Sequence, residues 1–207
     1  MNILIASDIF GETASHLELC ERFSKYHSVT SISPYQQKPP LFASESDAYH
    51  YFLKEGGMGN YLSRFNYLEC ANEIEVVLGF SAGGAAIWAI QEILTALSQG
   101  VAFYPGQIRH YLETNIICPW QIVFAKFEHH FDQEDVLNML VKNKNLSLYR
   151  APFEHGFINP QSENFDVIGR DNALNCFLNF KATDKTAKLE AEFAKYYEKF
   201  GNPIVSD

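Results

Sequence analysis

Positive charge is scarce in this sequence. Its 207 residues include 16 Lys and Arg against 25 Asp and Glu, which gives a formal net charge of −9. No cluster of basic residues interrupts this acidic balance, so the average surface repels a phosphate backbone. The composition is not that of a nucleic-acid-binding protein, and we expect no nucleic-acid partner.

Long apolar stretches are missing as well. No run reaches the roughly 18 residues that a membrane helix needs, and the first residues, "MNILIASDIF", have neither a basic start nor a cleavage site. We expect no membrane partner and a cytoplasmic location.

Cysteine is too sparse to organise the fold. The cysteines stand singly along the chain, a spacing typical of neither zinc motifs nor the disulfide frameworks of small secreted domains. We expect buried free thiols at Cys20, Cys70, Cys118 and Cys176.

Apolar and aromatic residues are plentiful by contrast, at 47% and 14% of the chain. This content is too high for a disordered protein, and no repeat or low-complexity tract is visible. A chain of 207 residues is long enough for one substantial core and short for two. We therefore expect a single domain over residues 1–207.

Strand-like and helix-like segments alternate along the chain. Strands are predicted at residues 2–6, 28–35, 74–78, 101–105, 120–127 and 146–151. Helices are predicted at 13–26, 44–54, 60–72, 83–97, 132–143, 166–180 and 184–200, with a loop at the glycine-rich "EGGMGN" (55–60). The alternation predicts an α/β fold whose mainly parallel sheet carries helices on both faces. Such sheets place their sites at the carboxyl ends of the strands.

The stretch "GFSAGG" (79–84) follows a predicted strand and precedes a predicted helix. A nucleophilic serine in a sharp strand-to-helix turn needs small neighbours two residues away on either side. Gly79 and Gly83 meet this requirement for Ser81. The Ala82 amide would point from the helix N-terminus toward a developing negative charge. We therefore predict that Ser81 is a nucleophile and that Ala82 is an oxyanion donor.

A serine nucleophile needs a base and an acid that orients the base. In this kind of fold the histidine follows the last strand, where His155 stands in "FEHGFINP". The acid follows the preceding strand, where Glu128 comes first and Asp132 begins the next helix. Because aspartate is a good helix cap, we favour Glu128 as the acid and keep Asp132 as the alternative.

The loop after the first strand, "SDIFG" (7–11), is expected to supply the second oxyanion donor. The Ile9 amide is the candidate for this role. Asp8, its neighbour, is either a carboxylate that stabilises the loop or a charge placed near the site.

The pair His129 and His130 could suggest a metal site. Adjacent residues of an extended chain point to opposite sides, and no third ligand follows at a suitable spacing. We therefore expect a polar surface pair and no metal.

These motifs together resemble the dienelactone hydrolase family of the α/β-hydrolase superfamily. The resemblance rests on "DIFG", "GFSAGG", "AKFEHHF" and "HGFINP", which occur in the family's order and cover most of residues 1–160. It implies an α/β-hydrolase fold, a small ester, lactone or thioester substrate, and no metal or organic cofactor.

The resemblance also assigns residues to positions. It places Ser81 at the nucleophile, Glu128 at the acid and His155 at the base, with the Ile9 and Ala82 amides at the oxyanion and Phe10, Tyr104 and Phe157 in the substrate pocket. The enzyme that names the family has a cysteine nucleophile and usually aspartate as acid. It also has a substrate-gripping arginine where this chain has Asn159, so ordinary esters are expected rather than a dienelactone.

Two other functions are compatible with the sequence. The departures at Glu128 and Asn159 leave open a non-catalytic binding module of the same fold, since fold alone does not guarantee activity. An acyltransferase with the same triad is the other alternative. The oligomeric state is not predicted.

Overall fold

Six parallel strands form the frame of the molecule in the computed structural model, which describes residues 1–178 and 203–204. The strands are β1 (Asn2–Ala6), β2 (Ser28–Ile32), β3 (Val76–Phe80), β4 (Gln99–Phe103), β5 (Trp120–Phe124) and β6 (Leu146–Arg150). A short strand β7 (Pro203–Ile204) pairs antiparallel with β6. The order across the sheet is β2-β1-β3-β4-β5-β6-β7.

Among the described residues, six α-helices connect and cover these strands. They are α1 (Ala14–Ser24), α2 (Glu45–Lys54), α3 (Gly57–Arg64), α4 (Ala82–Ile90), α5 (Gln133–Leu140) and α6 (Val167–Leu178). In the described part of the chain, none of the helices is long and apolar enough to cross a membrane.

The sheet separates two apolar cores. Successive strand residues point to opposite faces, so in β1 Ile3 and Ile5 pack on the side of α1 and α6, whereas Leu4 and Ala6 face the side of α2, α3, α4 and α5. Both faces are therefore closed, as the apolar composition of the strands requires. The predicted α/β fold, mainly parallel with helices on both faces, is confirmed.

The predicted loop at residues 55–60 is wrong in its second half. Only the turn at Gly56, with a φ of 96°, separates α2 from α3, and α3 already begins at Gly57. The reason is tertiary packing, because the side chain of Tyr61 is fully buried and its hydroxyl donates to the Ser7 carbonyl over 2.7 Å. Burial of this face outweighs the poor helix propensity of glycine.

Other boundaries also differ from the prediction. β3 runs to Phe80 rather than to residue 78, because its pairing with β4 continues through Gly79. The helix predicted for 83–97 ends at Ile90, where the buried Gln91 side chain donates to the Trp88 carbonyl and accepts from the Trp120 indole. The helix predicted for 60–72 ends at Arg64. The helix predicted for 184–200 lies outside the described residues.

The cysteine prediction holds only in part. Cys118 is buried, but Cys20 and Cys70 are half-buried, and all three are free thiols. The side chain of Cys176 lies outside the described part.

Glycines allow the turn between β3 and α4 to lie against β1. A Cβ added to Gly83 would stand 2.3 Å from the carbonyl oxygen of Ser7, and a Cβ on Gly79 would stand 2.6 Å from the backbone of Gly84. Neither backbone can yield cheaply, since Ser7 directly follows the central strand β1 and Gly84 lies within the buried helix α4. The small residues predicted around Ser81 are therefore a steric requirement of the fold.

A pair of alanine substitutions tests this requirement. We expect Gly83→Ala to lower the free energy of unfolding by about 1–3 kcal/mol, because the new methyl group overpacks against Ser7. Gly59→Ala is the control, since Gly59 lies in α3 with nothing within 4 Å of its added Cβ. It should raise stability by up to about 1 kcal/mol. Urea unfolding measures both, and equal effects of the two substitutions would contradict the steric argument.

Candidate active site

Ser81 lies in a strained turn between β3 and α4. Its φ and ψ are 49° and −120°, a region that L-residues rarely adopt. Tyr104, directly after the neighbouring strand β4, is the other non-glycine residue with a positive φ in the described part of the chain, at 38°. Strained residues of this kind concentrate at functional sites. Both lie at the carboxyl edge of the sheet.

Three side chains from three loops meet at this edge. The Oγ of Ser81 lies 2.8 Å from Nε2 of His155, and Nδ1 of His155 lies 2.8 Å from Oε1 of Glu128. These loops follow β3, β6 and β5, and they converge because parallel strands end at the same edge. The arrangement is a continuous hydrogen-bonded relay of hydroxyl, imidazole and carboxylate.

The structure separates the two carboxylates that the sequence offered as the acid. Glu128 is buried, 6% exposed, and contacts the imidazole of His155. Asp132 caps α5 instead, where its Oδ1 accepts from the backbone N–H of Glu134 over 2.9 Å. Asp132 therefore serves as a helix cap, whereas Glu128 contacts the imidazole of His155.

The imidazole of His155 is held in an acidic environment. Burial alone would lower its pKa below 6.5, but the hydrogen bond and the charge of Glu128, together with Glu45 and Asp8, raise the pKa above that value. Its side chain remains 25% exposed. A half-buried imidazole with a raised pKa is a suitable proton acceptor in a transition state that develops positive charge on the ring.

Two backbone N–H groups belong to turns at the same edge. Ala82 is the first residue of α4, and Ile9 lies in the turn after β1, whose Ser7 carbonyl packs against Gly83. Within the described residues, neither the Ala82 nor the Ile9 N–H donates to a protein acceptor. The Ile9 carbonyl accepts from the hydroxyl of Tyr35 over 2.6 Å, which fixes the adjoining peptide. Both N–H groups are thus free to stabilise an oxyanion.

Asp8 combines the two roles that the sequence left open. Its Oδ1 accepts from the N–H of Phe10 over 2.9 Å and its Oδ2 accepts from the side-chain amide of Asn159 over 2.6 Å, so it ties its own loop to the histidine loop. Burial raises its pKa to about 6, against the lowering effect of the Asn159 and Phe10 hydrogen bonds. Asn159 thus contacts a protein carboxylate.

The three predicted pocket residues have different positions. The ring of Tyr104 lies 4.9 Å from that of His155 and lines a cleft together with Asp8 and Asn159. Phe157 is 1% exposed and packs behind Tyr104, at 5.3 Å between ring centroids. Phe10 is 5% exposed and its ring lies 6.2 Å from that of Phe42. Both phenylalanines are buried core residues, and Phe157 supports the ring of Tyr104 from within the core.

The adjacent histidines do not contribute to this relay. The ring of His129 packs edge-on against Phe127, at 4.9 Å between centroids, and His130 is exposed. Among the residues that the structure describes, no group of three potential ligands could hold a metal ion.

Sequence reasoning missed the residues that hold the histidine loop. Asn164 donates from its side-chain amide to the carbonyl of His155 over 2.9 Å, and the Oγ of Ser162 donates to Oε2 of Glu45 over 3.0 Å. Glu45 is the first residue of α2 and lies 117 positions from Ser162. Such a contact has no local signal in the sequence.

Comparisons with known proteins agree with this geometry at the level of family and fold. The model of the dienelactone hydrolase family matches residues 1–189. A search of curated proteins found no match.

Solved structures share the fold at low sequence identity. A protein assigned as a dienelactone hydrolase from Klebsiella pneumoniae subsp. pneumoniae MGH 78578 is 13% identical, with a TM-score of 0.70 over 88% of this chain and 87% of that one. A dienelactone hydrolase-like promiscuous phosphotriesterase from metagenomic libraries is 13% identical, with a TM-score of 0.59 over 97% and 87%. A dienelactone hydrolase from Anabaena variabilis ATCC 29413 is also 13% identical, with a TM-score of 0.53 over 97% and 87%.

The buried carboxyl of Asp8 predicts a pH-dependent loss of stability. Its folded pKa of about 6 exceeds the ordinary 3.8, so the protonated carboxyl stabilises the fold below about pH 4, and this contribution is lost as the pH rises through 6. We expect the free energy of unfolding of the native protein, relative to Asp8→Asn, to fall by about 3 kcal/mol between pH 4 and pH 7. Urea unfolding across this range measures the difference, and a constant difference would contradict it.

Proposed function

The chain belongs to the dienelactone hydrolase family, and from that premise we propose that it is a serine hydrolase of small carboxylic esters, lactones or thioesters. Membership makes it a hydrolase of the dienelactone hydrolase type. The finer assignment is a Ser81–His155–Glu128 triad that works through an acyl-enzyme. The observation that carries it is the relay of two 2.8 Å contacts through the ring of His155.

Acylation begins with proton transfer from the hydroxyl of Ser81 to Nε2 of His155. The hydroxyl oxygen attacks the carbonyl carbon of the ester, and the carbonyl oxygen becomes an oxyanion that accepts from the Ile9 and Ala82 N–H groups. Glu128 holds the proton on Nδ1 of the imidazole and stabilises its charged form. The imidazolium then protonates the leaving alcohol or thiol, which departs.

Deacylation repeats these steps with water. His155 takes a proton from a water molecule as the water oxygen attacks the acyl carbon of the ester on Ser81. The same two N–H groups stabilise the second oxyanion, and the imidazolium returns its proton to the oxygen of Ser81. The products are the free acid and the restored enzyme.

The nucleophile is tested with a fluorophosphonate probe and a panel of short acyl esters. We expect labelling of the native protein and turnover of at least one ester, and we expect Ser81→Ala to abolish labelling and to lower kcat by about 10⁶. The control is Ser46→Ala. The Ser46 hydroxyl lies 3.5 Å from Nδ1 of His50 on the exposed surface of α2, in a Ser-His pair without a strained turn. It should leave labelling unchanged.

Three other results of this experiment would contradict the proposed serine hydrolase. An unlabelled native protein that cleaves no ester would be a binding module, and the proposal would fail. Acyl transfer to an added alcohol in preference to water would identify an acyltransferase instead. Equal turnover by the native protein and Ser81→Ala would exclude Ser81 as the nucleophile.

The acid is tested by two substitutions that each remove one negative charge. Glu128→Gln should lower kcat by about 10⁴, because the amide cannot stabilise the imidazolium or maintain its tautomer. It should also move the pKa seen in the pH profile of kcat/KM downward, since Glu128 raises the pKa of His155. Asp132→Asn should change kcat by less than about twofold, because asparagine caps a helix as well as aspartate. The reverse ranking would make Asp132 the acid.

A further inference from the structure

Three carboxylates surround the imidazole of His155. Glu128 contacts Nδ1, while Asp8 and Glu45 act on the ring through their charge. We infer that this site selects uncharged or cationic esters and discriminates against esters that carry a carboxylate near the scissile bond. The inference names a substrate class for the same site and therefore rests on the proposed function.

Glu45 is held beside the loop of His155 by a specific contact. The Oγ of Ser162 donates to its Oε2 over 3.0 Å, and this oxygen lies 3.9 Å from where a Cβ on Gly156 would stand. Gly156 follows His155 directly, so the carboxylate of Glu45 lies beside the backbone of the histidine loop. Glu45 is only half-buried, and its charge acts on the imidazole of His155.

Asp8 is a second acid whose charge acts on the ring. Its carboxylate is 7% exposed and lines a cleft with Tyr104 and Asn159, while the ring of Tyr104 packs on His155. The partners of this carboxylate are neutral amides, the side chain of Asn159 and the backbone of Phe10. Because these partners do not cancel its charge, Asp8 contributes a negative potential to the site above its pKa of about 6.

Arg109 and Arg150 are engaged by other groups. Arg109 donates to the Gly106 carbonyl over 2.5 Å and its guanidinium lies over the ring of Phe131, at 5.0 Å from the centroid. Arg150 is paired with Glu134 on the surface. Neither guanidinium is paired with Glu128, Glu45 or Asp8 in the part of the chain that the structure describes.

Two further arginines lie in the cleft that runs between α1 and α6. Arg22 and Arg170 line it together with Asp8, whereas Ser81 and His155 are not among its lining residues. Arg170 is bound to the carboxylate of Asp171 over 2.9 Å. A carboxylate close to the scissile carbonyl would therefore meet Asp8, Glu45 and Glu128 first.

The consequence is a charge preference in the transition state. The oxyanion and the imidazolium compensate each other, so an added carboxylate near the scissile bond is repelled by Glu128, Glu45 and Asp8. The guanidinium groups of Arg22 and Arg170 lie in the neighbouring cleft. For one carboxylate near a partly buried site, Coulomb repulsion corresponds to about tenfold in kcat/KM. Salt weakens it, since the Debye length falls to about 3 Å at 1 M.

The test compares three p-nitrophenyl esters of matched length at pH 8. They are the hexanoate, the monoester of adipate and the ester of trimethylammonio-pentanoate, each corrected for its uncatalysed rate. We expect kcat/KM for the adipate monoester to be at least about tenfold below that for the hexanoate, with the cationic ester equal or better. High salt should reduce the difference in kcat/KM between the hexanoate and the adipate monoester.

Two substitutions in the first turn of α2 provide the matched comparison. Glu45→Gln and Asp47→Asn each remove one negative charge, but the side chain of Asp47 is exposed. We expect Glu45→Gln to narrow the ratio of hexanoate to adipate turnover severalfold, and Asp47→Asn to leave that ratio unchanged. An equal effect of the two would mean that only the overall net charge matters, which would overturn the inference.

The outcomes separate this inference from the proposed function. Hydrolysis of the hexanoate and the adipate monoester at equal rates would overturn the charge preference and leave the hydrolase intact. If no ester is cleaved, the proposed function fails. In that case the charge preference is tested by binding. The affinities of the three corresponding primary amides are measured from shifts of the imidazole NMR signals of His155. Equal affinity of the anionic and neutral amides would overturn it.

Discussion

The carbonyl oxygen of Ser7 lies against the first turn of α4 so closely that a methyl group on Gly83 would stand 2.3 Å from it. This contact brings the end of β1 beside the start of α4, and with it the loop that contains Ile9 near the turn that contains Ser81 and Ala82. The strained φ of 49° at Ser81 is maintained because the flanking segments are the central strand β3 and the buried helix α4. The proposed nucleophile and both proposed oxyanion donors thus depend on one close approach of two backbones.

The residues of the relay could be predicted because each has a local signal. Ser81 stands among small residues between a strand and a helix, and His155 and Glu128 stand directly after strands. Since parallel strands end at one edge, chain order was enough to bring them together. The choice between Glu128 and Asp132 needed the structure, because capping and catalysis both select an acid after β5. In the structure Asp132 caps α5, and Glu128 is the carboxylate that contacts the imidazole.

Contacts over long separations could not be predicted. Asp8 and Asn159 are 151 positions apart, and Glu45 and Ser162 are 117 apart, so neither pair forms a pattern within any window of the sequence. The start of α3 was missed for a related reason, since three glycines oppose a helix and only the burial of Tyr61 against β1 and β2 overrides them. In both cases tertiary partners decide the outcome, and they become visible only once the sheet is assembled.

The acids around His155 have opposing effects on a reaction of this kind. In the proposed mechanism they stabilise the imidazolium that forms when Ser81 loses its proton, which lowers the free energy of the transition state. The same charges raise the pKa of the free imidazole, so a larger share of the enzyme starts with its base already protonated at neutral pH. Burial of the ring acts in the opposite direction and limits that rise. The distance of Asp8 and Glu45 from the ring therefore matters as much as their charge: only Glu128 contacts the imidazole, and the other two act through space.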